Sequence, residues 1–162
     1  MNNSQSKNGK RVNEGIVMIK DYPSYEKYLN HQKEKTNDPI RRKKWFGEEW
    51  ESKITFFQNK YKEYQKKDLL RKGNLRAIGL GARTGQEIQA FKNIGYEAIG
   101  IDIVASPPLV IEGDIHNIPF EDSSFDVAFS NILDHSLYPE KFISEIERVL
   151  KFQGVAILHI AV

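Results

Sequence analysis

The sequence predicts an α/β fold: a doubly wound (Rossmann-like), mostly parallel sheet of about five strands, preceded by a helical N-terminal extension. Three observations predict it. From residue 75 onward short β-rich runs alternate with segments of helical spacing. The first of these runs passes through a glycine-rich turn directly into a helix. Before Gly73 the apolar periodicity is helical.

Taken in order, residues 1–14 are Asn, Ser, Lys and Gly with almost no apolar content, and are expected to form a disordered tail. Residues 15–74 form the expected helical extension. A tyrosine-bearing helical pattern runs from Tyr22 to Lys35, and Asn37, Asp38 and Pro39 punctuate it as a turn. Phe46, Trp50, Ile54, Phe57, Tyr61 and Tyr64 then follow at spacings of 4, 4, 3, 4 and 3, one continuous helical face that Gly73 and Asn74 end. Each such ring is worth about 1.5–3 kcal/mol when removed from water, so the face reads as packing on a sheet; a lid or a platform for nucleic-acid bases are the alternatives.

Residues 75–162 hold five expected strands: Leu75 to Leu80, Ala98 to Asp102, Leu109 to Glu112, Phe125 to Ser130 and Val155 to Ala161. Helical segments from Thr84 to Ile94 and from Pro139 to Leu150 lie between them, the second with Phe142, Ile146, Val149 and Leu150 on one side. Between Asp102 and Leu109 only six residues, two of them proline, make the crossing, so an extended strap is expected there.

The 162-residue length suits one domain, and 40% hydrophobic content suffices for a core. The chain has no cysteine, which excludes disulfides and thiolate zinc sites. No apolar run approaches the roughly 20 residues of a membrane span and the N-terminus is polar, so the expectation is a soluble, cytoplasmic protein. Residues 1–74 hold 18 Lys/Arg against 10 Asp/Glu, and residues 75–162 hold 6 against 12. That split fits a solvated basic helix beside an acidic domain better than a nucleic-acid arm. The run Arg41-Arg42-Lys43-Lys44 is read likewise as a solvated helix start.

The segment Gly79-Leu80-Gly81-Ala82-Arg83-Thr84-Gly85 turns from strand into helix. Glycines there let a ligand approach the backbone, and the free amides of the helix start favour a negative group. Such a turn also occurs as a plain tight connection, so the next strand decides. That strand ends in Asp102, an acid about 20 residues on, where a carboxylate accepts from ribose hydroxyls. At the third strand's end, Asp114 followed by Ile115 offers a carboxylate and an amide to an adenine edge. A nicotinamide fingerprint would need glycine where Thr84 stands, and no phosphate-binding G-x-x-x-x-G-K-[ST] is present.

These features, with Phe125-Asp126-Val127-Ala128-Phe129-Ser130-Asn131, resemble class I S-adenosylmethionine-dependent methyltransferases of the type 11 domain. Gly81-Ala82-Arg83-Thr84-Gly85-Gln86-Glu87, Ser106-Pro107-Pro108, Asp114-Ile115-His116-Asn117 and Asp134-His135-Ser136 look like a poorly characterised, plant-associated branch. The resemblance implies S-adenosyl-L-methionine as cofactor, with Gly79, Gly81, Arg83 and Gly85 around its methionine moiety. It also implies Asp102 on the ribose, Asp114 and Ile115 at the adenine, and Ser130 and Asn131 beside the methionyl end.

The sequence departs from the family pattern where Gly79 replaces the usual acid and Arg83 the middle glycine, and where Leu150 to Gly154 has lost its proline and one glycine. Arg83 is placed to meet the methionine carboxylate instead. The family's last helix and two strands are missing after the fifth strand, which leaves that strand as an expected open edge for a protein partner or self-association. The function implied is methyl transfer to a small-molecule acceptor, with His135 as candidate catalytic base. A catalytically silent, partner-binding module is the alternative. Nucleic acid, membrane and metal are not expected as partners.

Overall fold

The computed structural model describes residues 21–160 and, as backbone only, 12–13 and 16–17. The expected tail of residues 1–14 lies outside the described residues except for β1 (Val12–Asn13), which pairs antiparallel with β2 (Ile16–Val17).

Three helices come next. Ser24 opens α1 (Tyr25–Asn37) by accepting from the Lys27 N–H at 3.2 Å, and Asp38 opens α2 (Pro39–Phe46) by accepting from the Arg41 N–H at 2.9 Å. Pro39 sits at the first helical position of α2, where its missing N–H costs nothing. The single helix expected from Phe46 onward is instead divided: α2 stops at Phe46, Gly47 breaks the backbone, and α3 runs Trp50–Lys66. Phe46, read as the first residue of the buried face, is 48% exposed and stacks on Trp50 at 5.7 Å. Ile54, Phe57 and Tyr61 of that face are buried, and Trp50 and Tyr64 pack against the same core partly buried.

The five-stranded sheet comprises β3 (Arg76–Leu80), β4 (Glu97–Asp102), β5 (Val110–Glu112), β6 (Phe125–Ser130) and β7 (Leu150–Leu158). Its order is β5-β4-β3-β6-β7, and every pairing is parallel. The chain therefore lays β4 and β5 on one side of β3, then returns to place β6 on the other. That reversal opens a crevice at the carboxyl ends of β3 and β6, where doubly wound sheets bind ligands. No helix fills the β4–β5 link; Ser106 and Val110 exchange backbone hydrogen bonds across a short strap, as the two prolines suggested.

Alternation along β3 divides the core. Ala77 joins Phe129, α3 and α4 (Gln86–Asn93) on one face, while Ile78 and Leu80 join α5 (Pro139–Val149) on the other. α5 contributes Phe142, Ile146 and Val149, the stripe read from its spacing. The fifth strand starts earlier than expected. Leu150 already pairs with Phe125, and Lys151 to Gly154, read as a turn, are a bulge within β7 that Gln153 closes at φ 64°. β7 is one of the two sheet edges among the described residues, β5 being the other; none of the residues of β7 is fully buried, and Phe152 is 93% exposed.

Among the described residues the largest fully buried side chain is Tyr61, at 0% exposure. Its ring stacks 3.9 Å from Phe91 of α4 and meets Phe129 edge-on, pinning α3 and α4 to β6. Its hydroxyl is buried with no hydrogen-bond partner among the described residues. Tyr61→Phe removes that unsatisfied group and keeps the ring, so denaturant unfolding is expected to show a gain of about 1 kcal/mol. Tyr61→Ala is expected to lose about 3–5 kcal/mol.

Candidate functional site

The glycine turn after β3 departs from ordinary backbone three times: Gly81 has φ 75°, Arg83 φ 48° and Gly85 φ 90°. At Gly81 a side chain is also sterically barred, since a Cβ would fall 2.2 Å from Cδ1 of Ile132. Arg83 accepts its left-handed conformation where its N–H donates to Oδ2 of Asp102 at 3.0 Å, while the Val104 N–H donates to Oδ1 at 3.2 Å. The turn amides of Gly81 and Ala82 both donate to the Ile101 carbonyl. Asp102 thus joins the turn to the β4 end. Thr84 donates to Oε1 of Gln86 at 2.7 Å, and Gln86 Nε2 donates to the Trp45 carbonyl at 2.9 Å, which ties α2 to the same turn.

A cleft of about 630 Å³, part of it open to solvent, lies over the ends of β3, β4 and β5. Gly81, Arg83, Asp102, Asp114, Ile115 and His135 line its floor and side, and Tyr28, Thr36, Arg41 and Trp45 of α1 and α2 form its roof. The Arg83 guanidinium lies over the Trp45 ring, 5.2 Å from its centroid. Asp102 is 6% exposed, and burial pushes its carboxyl above the usual range against the two N–H donors. A carboxylate has about four lone-pair positions. The Arg83 and Val104 N–H groups engage one oxygen each and the Ile103 N–H adds to them, which leaves part of the acceptor capacity for ligand hydroxyls.

Deeper in the same cleft, Asp114 belongs to a polar cluster that the sequence reading did not find. The Tyr25 hydroxyl donates to Oδ2 of Asp114, and His116 Nδ1 lies 3.1 Å from Oδ1. The Ser136 hydroxyl, at 2.7 Å, and the Tyr138 N–H, at 3.3 Å, meet His116 Nε2. A carboxylate can only accept and a backbone N–H can only donate, so the ring carries its proton on Nδ1. His116 is 1% exposed, a buried joint between the β5 end, α1 and the loop before α5. Burial alone would raise the Asp114 carboxyl, but the bonds from His116 and Tyr25 outweigh it and hold it at about 2.

His135 follows β6 in a short 3₁₀ turn, Leu133–His135, half exposed and 3.8 Å from the Asp134 carboxylate. Burial lowers its pKa below the ordinary 6.5, Lys35 and Arg83 push the same way, and Asp134 opposes them.

A second cleft lies on the other side of the glycine turn, toward α3. Gly81, Arg83, Lys53, Phe56, Glu87 and Asn131 are among its walls. Of the residues singled out from sequence, the first cleft therefore gathers Gly81, Arg83, Asp102, Asp114, Ile115 and His135, and the second gathers Gly81, Arg83 and Asn131. Three line neither. Gly79 packs inside the sheet, where a Cβ would meet Ile88 at 2.4 Å; Gly85 caps α4 beneath Leu109; and the buried Ser130 hydroxyl donates to the Leu80 carbonyl. Tyr25, Tyr28, Lys53 and Glu87 were missed as site residues. Their signal was confined to helix periodicity, which records a buried face and not what the face covers. Among the described residues no three His, Asp or Glu side chains gather as a metal site, and no helix is long and apolar enough to cross a membrane.

The family model described as "Methyltransferase domain" matches residues 78–158, half of the chain. No curated protein sequence matches. Among solved structures, a putative S-adenosyl-L-methionine-dependent methyltransferase from Methanococcus maripaludis is 16% identical, with TM-score 0.55, over 89% of this chain and 68% of that one. A putative sarcosine dimethylglycine methyltransferase from Galdieria sulphuraria is 21% identical, with TM-score 0.55, over 62% and 45%. The [4+2]-cyclase SpnF is 19% identical, with TM-score 0.53, over 62% and 44%. The chain spans about half the length of the latter two. The archaeal match covers more than residues 75–162 alone can supply, so part of the helical segment shares that fold.

The Asp114 cluster makes a prediction about acid stability. A carboxyl held at about 2 in the folded chain, against 3.8 as its ordinary value, stabilises the fold above pH 4 and loses that contribution as pH falls through 2. The contribution is about 2 kcal/mol. Asp114→Asn is expected to lower stability at neutral pH by about that amount and to flatten the decline between pH 4 and 2, read by urea unfolding at a series of pH values.

Proposed function

Because this chain belongs to the methyltransferase domain family, we propose that it binds S-adenosylmethionine over the carboxyl ends of β3, β4 and β5 and transfers the methyl group to a small-molecule acceptor. The observation that carries this reading is Asp102. It is a buried carboxylate on the cleft floor, fixed by backbone donors on both oxygens and left with acceptor capacity for ribose hydroxyls.

Residues around Asp102 complete a fit to the cofactor. Ile103 and Ile115 give the adenine end apolar walls, and Gly113 leaves room beside them. When bound, the cofactor supplies a methyl group on a positively charged sulfur, open to in-line displacement by an acceptor lone pair. Alignment of that lone pair is the main task left to the protein. α1 and α2 roof the cleft and exclude water from the reacting end. His135, neutral above its lowered pKa, takes the proton that an acceptor hydroxyl or amine loses as it is methylated. Asp134 steadies the imidazolium formed.

Calorimetric titration with S-adenosylmethionine and S-adenosylhomocysteine tests the reading. The expected outcome is binding by the wild-type chain that Asp102→Asn weakens by about tenfold or more while the variant still unfolds in one cooperative transition. A folded wild-type chain that binds neither would overturn the assignment. With a panel of hydroxyl and amine acceptors, His135→Asn is expected to lower kcat by about 10²–10⁴ without changing cofactor affinity. The wild-type rate should be flat above pH 6.5 and fall only below it, because the lowered pKa keeps the imidazole neutral through the neutral range.

A further inference from the structure

The second cleft contains a charge that the fold does not use. Glu87 stands in the first turn of α4, 6% exposed, and its side chain lines the cleft. Among the described residues no other side chain hydrogen-bonds or ion-pairs with it; its own backbone N–H is its hydrogen-bond donor. A buried carboxylate without a partner is costly. Burial pushes this one up to about 7, even though Arg83 and Lys53 pull it down. Groups facing it from the packed elements are Lys53 and Tyr61 of α3, Arg83 of the turn and Asp102 of β4. The two cations line the cleft with it, so the pocket presents one anion and two cations beside the amide of Asn131. That is the complement of an α-amino acid zwitterion.

Position supports the same ligand. The cleft opens at the carboxyl ends of β3 and β6, where the strand order reverses, and it shares Gly81 and Arg83 with the Asp102 cleft. A molecule whose adenosine lies on Asp102 extends across Gly81 into this second space.

We infer that Glu87 receives the α-ammonium group of the cofactor's methionyl end, with Arg83 and Lys53 placed for its carboxylate. The inference rests on the cofactor reading above. It makes Glu87 a determinant of ligand selectivity: a nucleoside without the amino-acid tail gains nothing from it.

The test compares S-adenosylhomocysteine with methylthioadenosine, which keeps the adenosine and lacks the amino and carboxyl groups. Binding is measured calorimetrically for the wild type, Glu87→Gln and Asp102→Asn, with unfolding midpoints recorded. Glu87→Gln is expected to weaken S-adenosylhomocysteine by about tenfold or more and to leave methylthioadenosine unchanged, whereas Asp102→Asn weakens both. The wild-type affinity for S-adenosylhomocysteine should fall as pH is lowered from about 8 to 6, because protonated Glu87 no longer attracts an ammonium group. Glu87→Gln removes that slope, and methylthioadenosine controls for other groups that titrate there. Equal weakening of both ligands by Glu87→Gln, no weakening of either, or a wild type that binds only methylthioadenosine would overturn the inference and leave the adenosine site standing. A folded wild type that binds neither ligand would overturn the cofactor reading with it.

Discussion

The site is organised around the Asp102 carboxylate and the two backbone N–H groups it holds. One donor belongs to Arg83 in the glycine turn, the other to Val104 in the strap beyond β4. Through them a buried anion fixes the relative position of two loops that carry no regular structure of their own. The left-handed backbone at Arg83 is uncommon for a residue with a side chain, and the hydrogen bond helps hold it. Substituting a neutral side chain for Asp102 therefore bears on the shape of the turn as well as on ligand binding, which is why the isosteric amide is the informative change.

The helical segment completes this site from above. Tyr61 and Phe57 bury α3 against α4 and β6, so α3 belongs to the core of the described structure. α1 and α2 differ: their contribution is a cleft roof, fastened by the Tyr25 hydroxyl on Asp114, Arg42 on Ser106 at 3.2 Å, and Gln86 on the Trp45 carbonyl. These are polar ties with less apolar packing behind them than α3 has.

The sheet was legible because its signals are local. Glycine turn, strand-end acid and two-residue alternation all lie within short windows, and the first four strands of the sheet and both of its helices stand close to where periodicity put them, while the fifth strand begins at Leu150 instead of Val155. What escaped the sequence depends on contacts between distant residues. Phe46 continues the arithmetic of the aromatic face, yet Gly47 ends the helix and turns that ring to solvent. Gln153 and Gly154 signal a turn, but β6 pairs on both sides of it and absorbs it as a bulge. Asp102 and Asp114, singled out from their strand ends, both line the cleft over those ends. Tyr25 lies 89 positions from Asp114, and no spacing rule links them. Ser130 was expected in the site and instead spends its hydroxyl on the Leu80 carbonyl, a choice made by neighbouring backbone rather than by sequence position.

On the proposed function, the cleft between Asp102 and the α1–α2 roof is a nucleoside site. Its most direct test is a crystal structure of the chain grown with S-adenosylhomocysteine. Both ribose hydroxyls are expected on the Asp102 carboxylate, with adenine between Ile103 and Ile115. Density for the ligand elsewhere on the molecule, or ribose hydroxyls turned away from Asp102, would contradict it.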